Sequence, residues 1–208
     1  MARPLFISLD GLDGCGKSTQ ARLLANWLRC RGHAVTECAD PGGTQTGDQI
    51  RDVVLHCRYA VNVRCEALLF MASRAQLVSE VIAPALAAGQ IVVSDRYVLA
   101  NVVYQGYGGG LAPTELWQVG RFSTAGLEPD LTLVLDLPVA VARARRVRPP
   151  DRLESRDDAF HQRVREGFLA EARLQAERIK VIDATQSVEA VHDQVCHAVA
   201  RLMHGGQA

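Results

Sequence analysis

Residues 6–19 read Phe6-Ile7-Ser8-Leu9-Asp10-Gly11-Leu12-Asp13-Gly14-Cys15-Gly16-Lys17-Ser18-Thr19, and this segment is the most informative part of the sequence for the fold. Four of these residues, Gly11, Gly16, Lys17 and Ser18, satisfy the pattern G-x-x-x-x-G-K-[ST], the phosphate-binding loop called the P-loop. A short apolar run at 5–9 precedes the loop and predicts a buried strand. Apolar residues at helical spacing follow it, so the stretch is predicted to be strand, loop and helix.

This arrangement suits phosphate chemistry. The glycines permit backbone conformations and close approaches that a Cβ would prevent. Loop N–H groups and the helix N-terminus then face an anion. Lys17 is predicted to reach the β- and γ-phosphates and Ser18 to coordinate Mg²⁺. An ordinary glycine turn at the start of a helix is the alternative. The predicted ATP-binding residues of the loop are Gly11, Leu12, Asp13, Gly14, Cys15, Gly16, Lys17, Ser18 and Thr19.

Length and charge restrict the class of protein. The 208 residues suffice for one α/β domain, predicted to span 1–208. Lys plus Arg and Asp plus Glu both number 23, which argues against a nucleic-acid polymer as partner, because such partners require a basic surface. We find no signal peptide and no apolar run of membrane-spanning length. The expectation is a soluble, cytoplasmic protein without membrane contact.

The six cysteines contain no C-x-x-C pair, which makes a structural zinc site improbable. We expect free thiols, mostly buried, because P-loop enzymes use cytosolic nucleotides. Cys15 leaves two interpretations open. A helix N-terminus and Lys17 would favour a reactive thiolate, whereas a small buried residue would be inert.

Strand and helix patterns alternate along the chain. Predicted strands lie at 5–9, 34–38, 91–94, 131–136 and 180–183. Predicted helices follow the P-loop and lie at 46–56, 63–88, where Pro84 is expected to kink or end the helix, and 188–203. Continuous apolar strands separated by helices predict a parallel sheet covered on both faces. In such sheets ligands bind at the carboxyl edge of the strands.

Asp95 and Arg96 end the third predicted strand and therefore lie at that edge. A carboxylate there is suited to hold Mg²⁺ or its water ligands beside a P-loop. The adjacent guanidinium would offer two parallel donors to a phosphate. A structural Asp–Arg pair is the alternative.

Five segments in this order resemble the thymidylate kinase (dTMP kinase) family, a group of P-loop nucleoside monophosphate kinases, over about residues 6–199. They are Asp10-Gly-Leu-Asp-Gly-Cys-Gly-Lys-Ser-Thr19; Asp40-Pro-Gly-Gly-Thr44 with Gly47 and Ile50-Arg51; Glu66-Ala-Leu-Leu-Phe-Met-Ala-Ser-Arg-Ala-Gln76; Asp95-Arg-Tyr97 with Asn101, Tyr104 and Gln105-Gly106; and Asp151-Arg-Leu-Glu154 with Phe160-His-Gln-Arg-Val164.

The resemblance implies a five-stranded parallel sheet with helices on both faces, a small lid, and a homodimer. It implies transfer of a phosphoryl group from ATP to dTMP, giving dTDP, with Mg²⁺ as cofactor. A kinase for another nucleoside monophosphate is the nearest alternative. A GTPase switch would need an N-K-x-D-type segment, which is absent, and an inactive ATP-binding protein would not need Lys17, Asp95 and Arg152.

Roles at the acceptor site follow from the resemblance, residue by residue. Phe70 would stack on thymine, and Arg74, Asn101 and Gln105 would hydrogen-bond its edge. Arg51 and Arg96 would hold the dTMP phosphate. Tyr104 would exclude a 2′-hydroxyl, and Asp13 would hold the region of the 3′-hydroxyl. Asp40 completes the predicted dTMP-binding set, although it stands where the family has Glu and loses a methylene of reach. Asp10 shows the same shortening, and Ala100 replaces a frequent Ser.

A basic cluster, Arg143, Arg145, Arg146, Arg148 and Arg152, precedes and enters the segment that resembles the lid, at about 146–157. Gly14 and Cys15 occupy the variable P-loop places, so the P-loop Arg of some members is absent, as in the bacterial type. The lid is therefore expected to supply the charge. Arg152 and then Arg148 are the predicted catalytic arginines, with Lys17 and Asp95, and Arg145 is expected to stack on adenine. Ser18 and Asp95 are the predicted metal ligands.

Overall fold

Five parallel strands form one sheet: β1 (Phe6–Gly11), β2 (Val35–Ala39), β3 (Ile91–Asp95), β4 (Leu131–Asp136) and β5 (Ile179–Asp183), in the order β2-β3-β1-β4-β5. The structure, a computed structural model, describes residues 4–57, 59–146, 149 and 151–205. The predicted α/β fold with a five-stranded parallel sheet is confirmed, and each predicted strand is present within one or two residues of its expected bounds.

The central strand β1 is buried on both faces, which explains its continuous apolar sequence. Leu5, Ile7 and Leu9 belong to one hydrophobic cluster and Phe6 to the other, because successive strand residues point to opposite faces. Ser8 shares a buried hydrogen bond of 2.8 Å with a threonine of β4. The edge strands β2 and β5 are more exposed.

Helices cover both faces of the sheet. Their bounds are α1 (Lys17–Arg29), α2 (Gln45–His56), α3 (Val63–Leu77), α4 (Ala83–Ala87), α5 (Val98–Asn101), α6 (Pro113–Ser123), α7 (Val139–Ala144), α8 (Asp158–Leu174) and α9 (Val188–Gly205). On one face α1 and α9 contribute Leu24, Leu28, Val195 and Val199 to the larger cluster. On the other face α3 contributes Met71 and Leu77. In the described part of the chain no helix has the length and apolarity to cross a membrane.

The long helix predicted at 63–88 consists of α3, a π-helical segment at Val78–Ile82, and α4. Pro84 lies in the first turn of α4, directly after the π segment. Proline removes one helical hydrogen bond and clashes with the preceding turn, and the wider π turn accommodates it. The helix therefore continues past Pro84 and ends at Ala87.

A helical region at 98–108 has no counterpart among the predicted elements. It consists of α5 and a π-helical segment at Val102–Gly108, and nearly all of its residues are buried. A helix buried on all sides shows no amphipathic period, so periodicity could not reveal it.

The prediction that the cysteines are free thiols is confirmed, and the prediction that most of them are buried is not. All six are free thiols. Only Cys15 and Cys196 are buried, whereas Cys30 and Cys65 are exposed. The expectation of mostly buried thiols is therefore wrong, because Cys30 lies at the exposed end of α1 and Cys65 in the exposed first turn of α3.

Candidate active site

The P-loop joins β1 to α1 and leaves the N-terminus of α1 open. Gly16, the N-cap residue of α1, has φ 97° and no side chain that could accept a hydrogen bond. The first backbone N–H groups of α1 therefore remain available to a ligand. Gly14 has φ 89°, and a Cβ there would lie 2.2 Å from the backbone oxygen of Ala142. Only glycine fits this position, where α7 packs on the loop.

Lys17 is buried and lies across the loop. Its Nζ donates to the Leu12 carbonyl at 2.8 Å and lies 3.7 Å from an Asp13 carboxylate oxygen. The Cys15 thiol is only 2 % exposed. Burial raises the pKa of Cys15, although Lys17 acts to lower it. Of the two interpretations of Cys15, the structure favours the inert one.

Two side-chain oxygens that are suited to hold a metal ion meet beside the loop. The Ser18 hydroxyl donates to Asp95 Oδ2 at 2.5 Å. Asp10, at the end of β1, is fully buried, and neither of its carboxylate oxygens has a hydrogen-bond partner in the described residues. Burial raises the pKa of Asp10 to about 7, against the lowering effect of Arg96 and Lys17.

Asp13, Arg96 and Tyr104 form a compact cluster. Arg96 Nη2 donates to Asp13 Oδ1 at 2.5 Å, and the Tyr104 hydroxyl donates to Asp13 Oδ2 at 2.9 Å. Burial acts to raise the pKa of Asp13, but Arg96 and Lys17 hold it well below its ordinary value. Arg96 has φ 73°, a strained backbone conformation that typically costs about 1–3 kcal/mol and is frequent at functional sites.

A chain of buried polar side chains forms one wall of the site. Arg74 Nε donates to Asp40 Oδ2 at 2.5 Å, and Arg74 Nη1 donates to Asn101 Oδ1 at 3.2 Å. Asn101 Nδ2 donates to Gln105 Oε1 at 2.8 Å, and Gln105 Nε2 donates to Glu66 Oε1 at 2.8 Å. Arg74 is 2 % exposed, so it is not a solvated arginine.

An apolar cluster adjoins these polar groups. Phe70 packs with Val54 and Leu55 of α2 and with Leu153, a residue of the predicted lid. Arg51, also on α2, donates to the Pro41 carbonyl at 2.6 Å. The α2–α3 pair thus presents a flat aromatic ring and a cation to the same space.

Arg145 lies at the opposite end of the site, near the loop after β5. Its Nη1 donates to the Ala184 carbonyl at 2.9 Å. Gln186, Ser187 and Val188 line the cavity beside it. A cleft between a guanidinium and backbone is suited to a planar ring.

The described lid residues divide into two groups. Arg152 does not line the cavity; Nη2 donates to Glu66 Oε2 at 2.5 Å and Nε to the Val54 carbonyl at 3.0 Å. Arg146 does line it, and its Nη1 donates to the Glu154 carbonyl at 3.0 Å. Arg148, the second predicted catalytic arginine, lies outside the described residues.

One cavity of about 950 Å³ joins both ends of the site. It brings together most of the predicted residues: Asp13, Gly14, Cys15, Gly16, Lys17, Ser18, Thr19, Asp40, Arg51, Phe70, Arg74, Asp95, Arg96, Asn101, Tyr104, Gln105 and Arg145. Gly11, Leu12 and Arg152 do not line it. Arg146, Leu55 and Leu153 line it without a predicted individual role. Arg146 belonged to the basic cluster and Leu153 to the quoted segment 151–154, which were the available signals, whereas nothing in the sequence marked Leu55.

Comparison with known proteins agrees with this geometry. The sequence model of a family described as thymidylate kinase matches residues 9–195. The thymidylate kinase of Kosmotoga olearia is 46% identical over 193 residues, covering 92% of this chain and 93% of that protein. That of Deinococcus radiodurans is 45% identical over 206 residues, covering 98% and 100%. The crystal structure of thymidylate kinase from Ehrlichia chaffeensis superimposes with a TM-score of 0.78 at 28% identity, covering 94% of this chain and 98% of the other.

Proposed function

This chain belongs to the thymidylate kinase family and phosphorylates dTMP to dTDP with ATP, and we propose that the cavity described above is where it does so. The observation that carries the proposal is the composition of the cavity's two ends. A P-loop with an uncapped helix N-terminus lies at one end. At the other end, the wall formed by Arg74, Asn101 and Gln105 offers hydrogen-bond donors beside the aromatic ring of Phe70.

This wall presents donors because each hydrogen bond in its chain can run in only one direction. Arg74 has only donors, so Asn101 must present Oδ1 to it and Nδ2 to Gln105. Gln105 must then accept with Oε1 and donate with Nε2 to Glu66. The unused N–H groups of both amides are therefore donors. They suit the carbonyl O4 of thymine and oppose the amino group at the same place in cytosine, which favours dTMP over a cytidine nucleotide.

Phe70 offers the thymine ring a stacking face in this arrangement, worth about 0.5–1.5 kcal/mol beyond its buried area. Arg51 and Arg96 hold the acceptor phosphate. Tyr104 is held rigid by its bond to Asp13 and by edge contacts with Phe160 and Phe168. A rigid ring beside C2′ excludes a ribose hydroxyl.

Mg²⁺ is the proposed cofactor. The Ser18 hydroxyl and Asp95 carboxylate provide hard oxygen ligands 2.5 Å apart beside the P-loop, which fits an ion that takes few protein ligands and completes its shell with phosphate and water. When bound with ATP, it supplies positive charge at the β- and γ-phosphates. Among the described residues no group of three or more His, Cys, Asp or Glu side chains forms a metal cage, which agrees with a nucleotide-dependent site.

Catalysis then consists of alignment and charge neutralisation, because phosphoryl transfer requires little covalent chemistry from the protein. Lys17 meets the β- and γ-phosphates and gives up its bond to Leu12 for them. Arg96 orients the attacking phosphate oxygen of dTMP. Arg152, which Glu66 holds beside the cavity and not within its lining, and Arg148 are the proposed sources of lid charge for the transferring group, and Arg145 packs on adenine.

We also propose that the protein acts as a homodimer, without a nucleic-acid polymer as partner. Leu68 on α3 and Phe122 on α6 are 57% and 88% exposed, and these helices pack against each other. Large exposed apolar side chains on adjacent helices favour burial against a second copy. Light scattering after size exclusion is the measurement: one protomer mass across micromolar concentrations would contradict the dimer.

An ADP-release assay tests the proposed site. The purified enzyme is given ATP and, in turn, dTMP, dUMP, the ribonucleotide of thymine, dCMP and AMP. We expect dTMP to give the highest kcat/KM, and Asn101→Ala to reduce the preference for dTMP over dCMP by about 10-fold or more. Asn26→Ala is the matched control, because Asn26 is exposed on α1. A wild-type preference for dCMP, or equal selectivity in both variants, would contradict this assignment.

A further inference from the structure

Glu66 is a buried carboxylate with no role in the steps described above. It lies in the first turn of α3, is 1 % exposed, and does not line the cavity. Its two oxygens face different parts of the enzyme. Oε1 accepts from Gln105 on the base-reading wall, and Oε2 accepts from Arg152 and, at 3.5 Å, from Arg156 in the lid region.

The first oxygen fixes the direction of the amide chain. A carboxylate only accepts, so Gln105 must turn its Nε2 toward Glu66 and its Oε1 toward Asn101. Arg74, which only donates, closes the chain at its other end. The two amides are thus held in one orientation by a pure acceptor at one end and a pure donor at the other.

The second oxygen fixes the lid. Arg152 is bound by Glu66 Oε2 and by the carbonyl of Val54, and the adjacent Leu153 packs on Phe70 and Leu55. The guanidinium is therefore held beside the acceptor site by groups from α2 and α3. Arg156 adds a second cation to the same carboxylate and lies over the ring of Phe160.

We propose that Glu66 is a positioning residue that couples recognition of the acceptor base, through Gln105, to the placement of lid Arg152. This inference rests on the proposed function and extends it. One carboxylate serves both tasks because it offers an acceptor to each side. An amide at the same place has one acceptor and one donor, and so satisfies only one of them.

The consequence for Glu66→Gln follows from that difference. If its carbonyl faces Arg152, its amino group faces Gln105, which must invert. Inversion then propagates to Asn101 and ends against Arg74, whose guanidinium has no acceptor and cannot invert. If its carbonyl instead faces Gln105, its amino group opposes Arg152 and the lid arginine loses its anchor.

A double-mutant cycle tests the coupling. The kcat and the KM for dTMP are measured for the wild type, Glu66→Gln, Arg152→Ala and the double variant. We expect Glu66→Gln to lower kcat about 10- to 100-fold, the loss typical of a misplaced catalytic group. The double variant should have the kcat of Arg152→Ala within about 2-fold, because Glu66 acts on turnover through Arg152. In the presence of Arg152, Glu66→Gln should also raise the KM for dTMP, because the orientation that keeps Arg152 inverts the amide chain. In the Arg152→Ala background the glutamine carbonyl is free to face Gln105, and the KM should equal that of Arg152→Ala.

The controls separate this inference from the function on which it rests. Arg29→Ala removes an exposed cation that pairs with Glu37 at 2.6 Å and does not line the cavity, and it should keep wild-type kcat and KM. Thermal unfolding checks that each variant is folded, and Glu66→Asp, which keeps the charge, replaces Glu66→Gln in the cycle if the latter unfolds.

Three results would overturn the inference. If the losses in kcat multiply, Glu66 does not act through Arg152. If Glu66→Gln leaves the KM for dTMP unchanged in the presence of Arg152, Glu66 does not act on base recognition. If Arg152→Ala itself retains kcat, both this inference and the catalytic role of Arg152 fail, whereas dTMP kinase activity of the wild type is unaffected.

Discussion

Asp10→Asn should make the stability of the protein less dependent on pH. The carboxyl group of Asp10 is fully buried beside the P-loop with neither oxygen hydrogen-bonded in the described residues. Burial raises its pKa from 3.8 to about 7. Between these two values the folded protein keeps a proton that the unfolded chain has lost, so the free energy of unfolding falls as pH rises and levels off above about 7.

The magnitude follows from the shift. Each pH unit in this interval costs about 1.4 kcal/mol, so the whole interval corresponds to about 4 kcal/mol and the part above about pH 5 to roughly 2–3 kcal/mol. Asn does not ionise and escapes this loss. Asp10→Asn also changes the free energy of unfolding by a cost that does not depend on pH, that of burying an amide. This cost cancels when the change measured at one pH is subtracted from the change measured at the other.

The assay is urea unfolding without nucleotide, in the presence of a chelator, at about pH 5 and about pH 8. The free energy of unfolding of Asp10→Asn, relative to that of the wild type, should be higher at about pH 8 than at about pH 5 by roughly 2–3 kcal/mol. Asp183→Asn is the control: hydrogen bonds from Thr185 lower the pKa of this exposed carboxyl, so its contribution is constant over the interval. An increase of less than about 0.5 kcal/mol for Asp10→Asn would contradict the inference that Asp10 is protonated in the folded protein at about pH 5.

Three further outcomes are expected. Lys17→Ala should lower kcat about 100- to 1,000-fold while thermal unfolding shows that the variant is folded, and near-normal turnover would contradict the P-loop assignment. A mild thiol reagent should modify the exposed Cys30 and Cys65 with activity retained, because the buried thiol of Cys15 has a raised pKa; rapid inactivation prevented by Cys15→Ala would contradict this. Tyr104→Ala should raise activity on the thymine ribonucleotide relative to dTMP, and an unchanged ratio would place sugar selection elsewhere.

Local patterns were sufficient for the fold because each was independent of distant contacts. The glycine loop, the apolar run before it and the helical spacing after it predicted β1, the P-loop and α1 from 24 residues of adjacent chain. The central strands were recognisable because burial on both faces demands continuous apolar residues. The region 98–108 was not, since a helix buried all round carries no period.

Motif order also identified the family, and the family comparison confirmed it together with the reaction. The roles of individual site residues remain predictions. The resemblance to the family placed Phe70, Arg74 and Asn101 in one site, and they do line one cavity. It assigned Arg152 to the phosphates, whereas the structure holds its guanidinium against Glu66.

Local sequence was thus sufficient to predict the class of fold, the phosphate loop and the groups that end the strands at the carboxyl edge of the sheet, because these depend on neighbouring residues and strand direction. Which partner each group meets follows only from the way the whole chain packs. Glu66 and Arg152 are 86 residues apart in the chain, and Glu66 and Gln105 are 39 apart. A buried carboxylate accepts hydrogen bonds from whichever donors helix packing places beside it. Its partners therefore depend on the whole fold and cannot be read from local sequence.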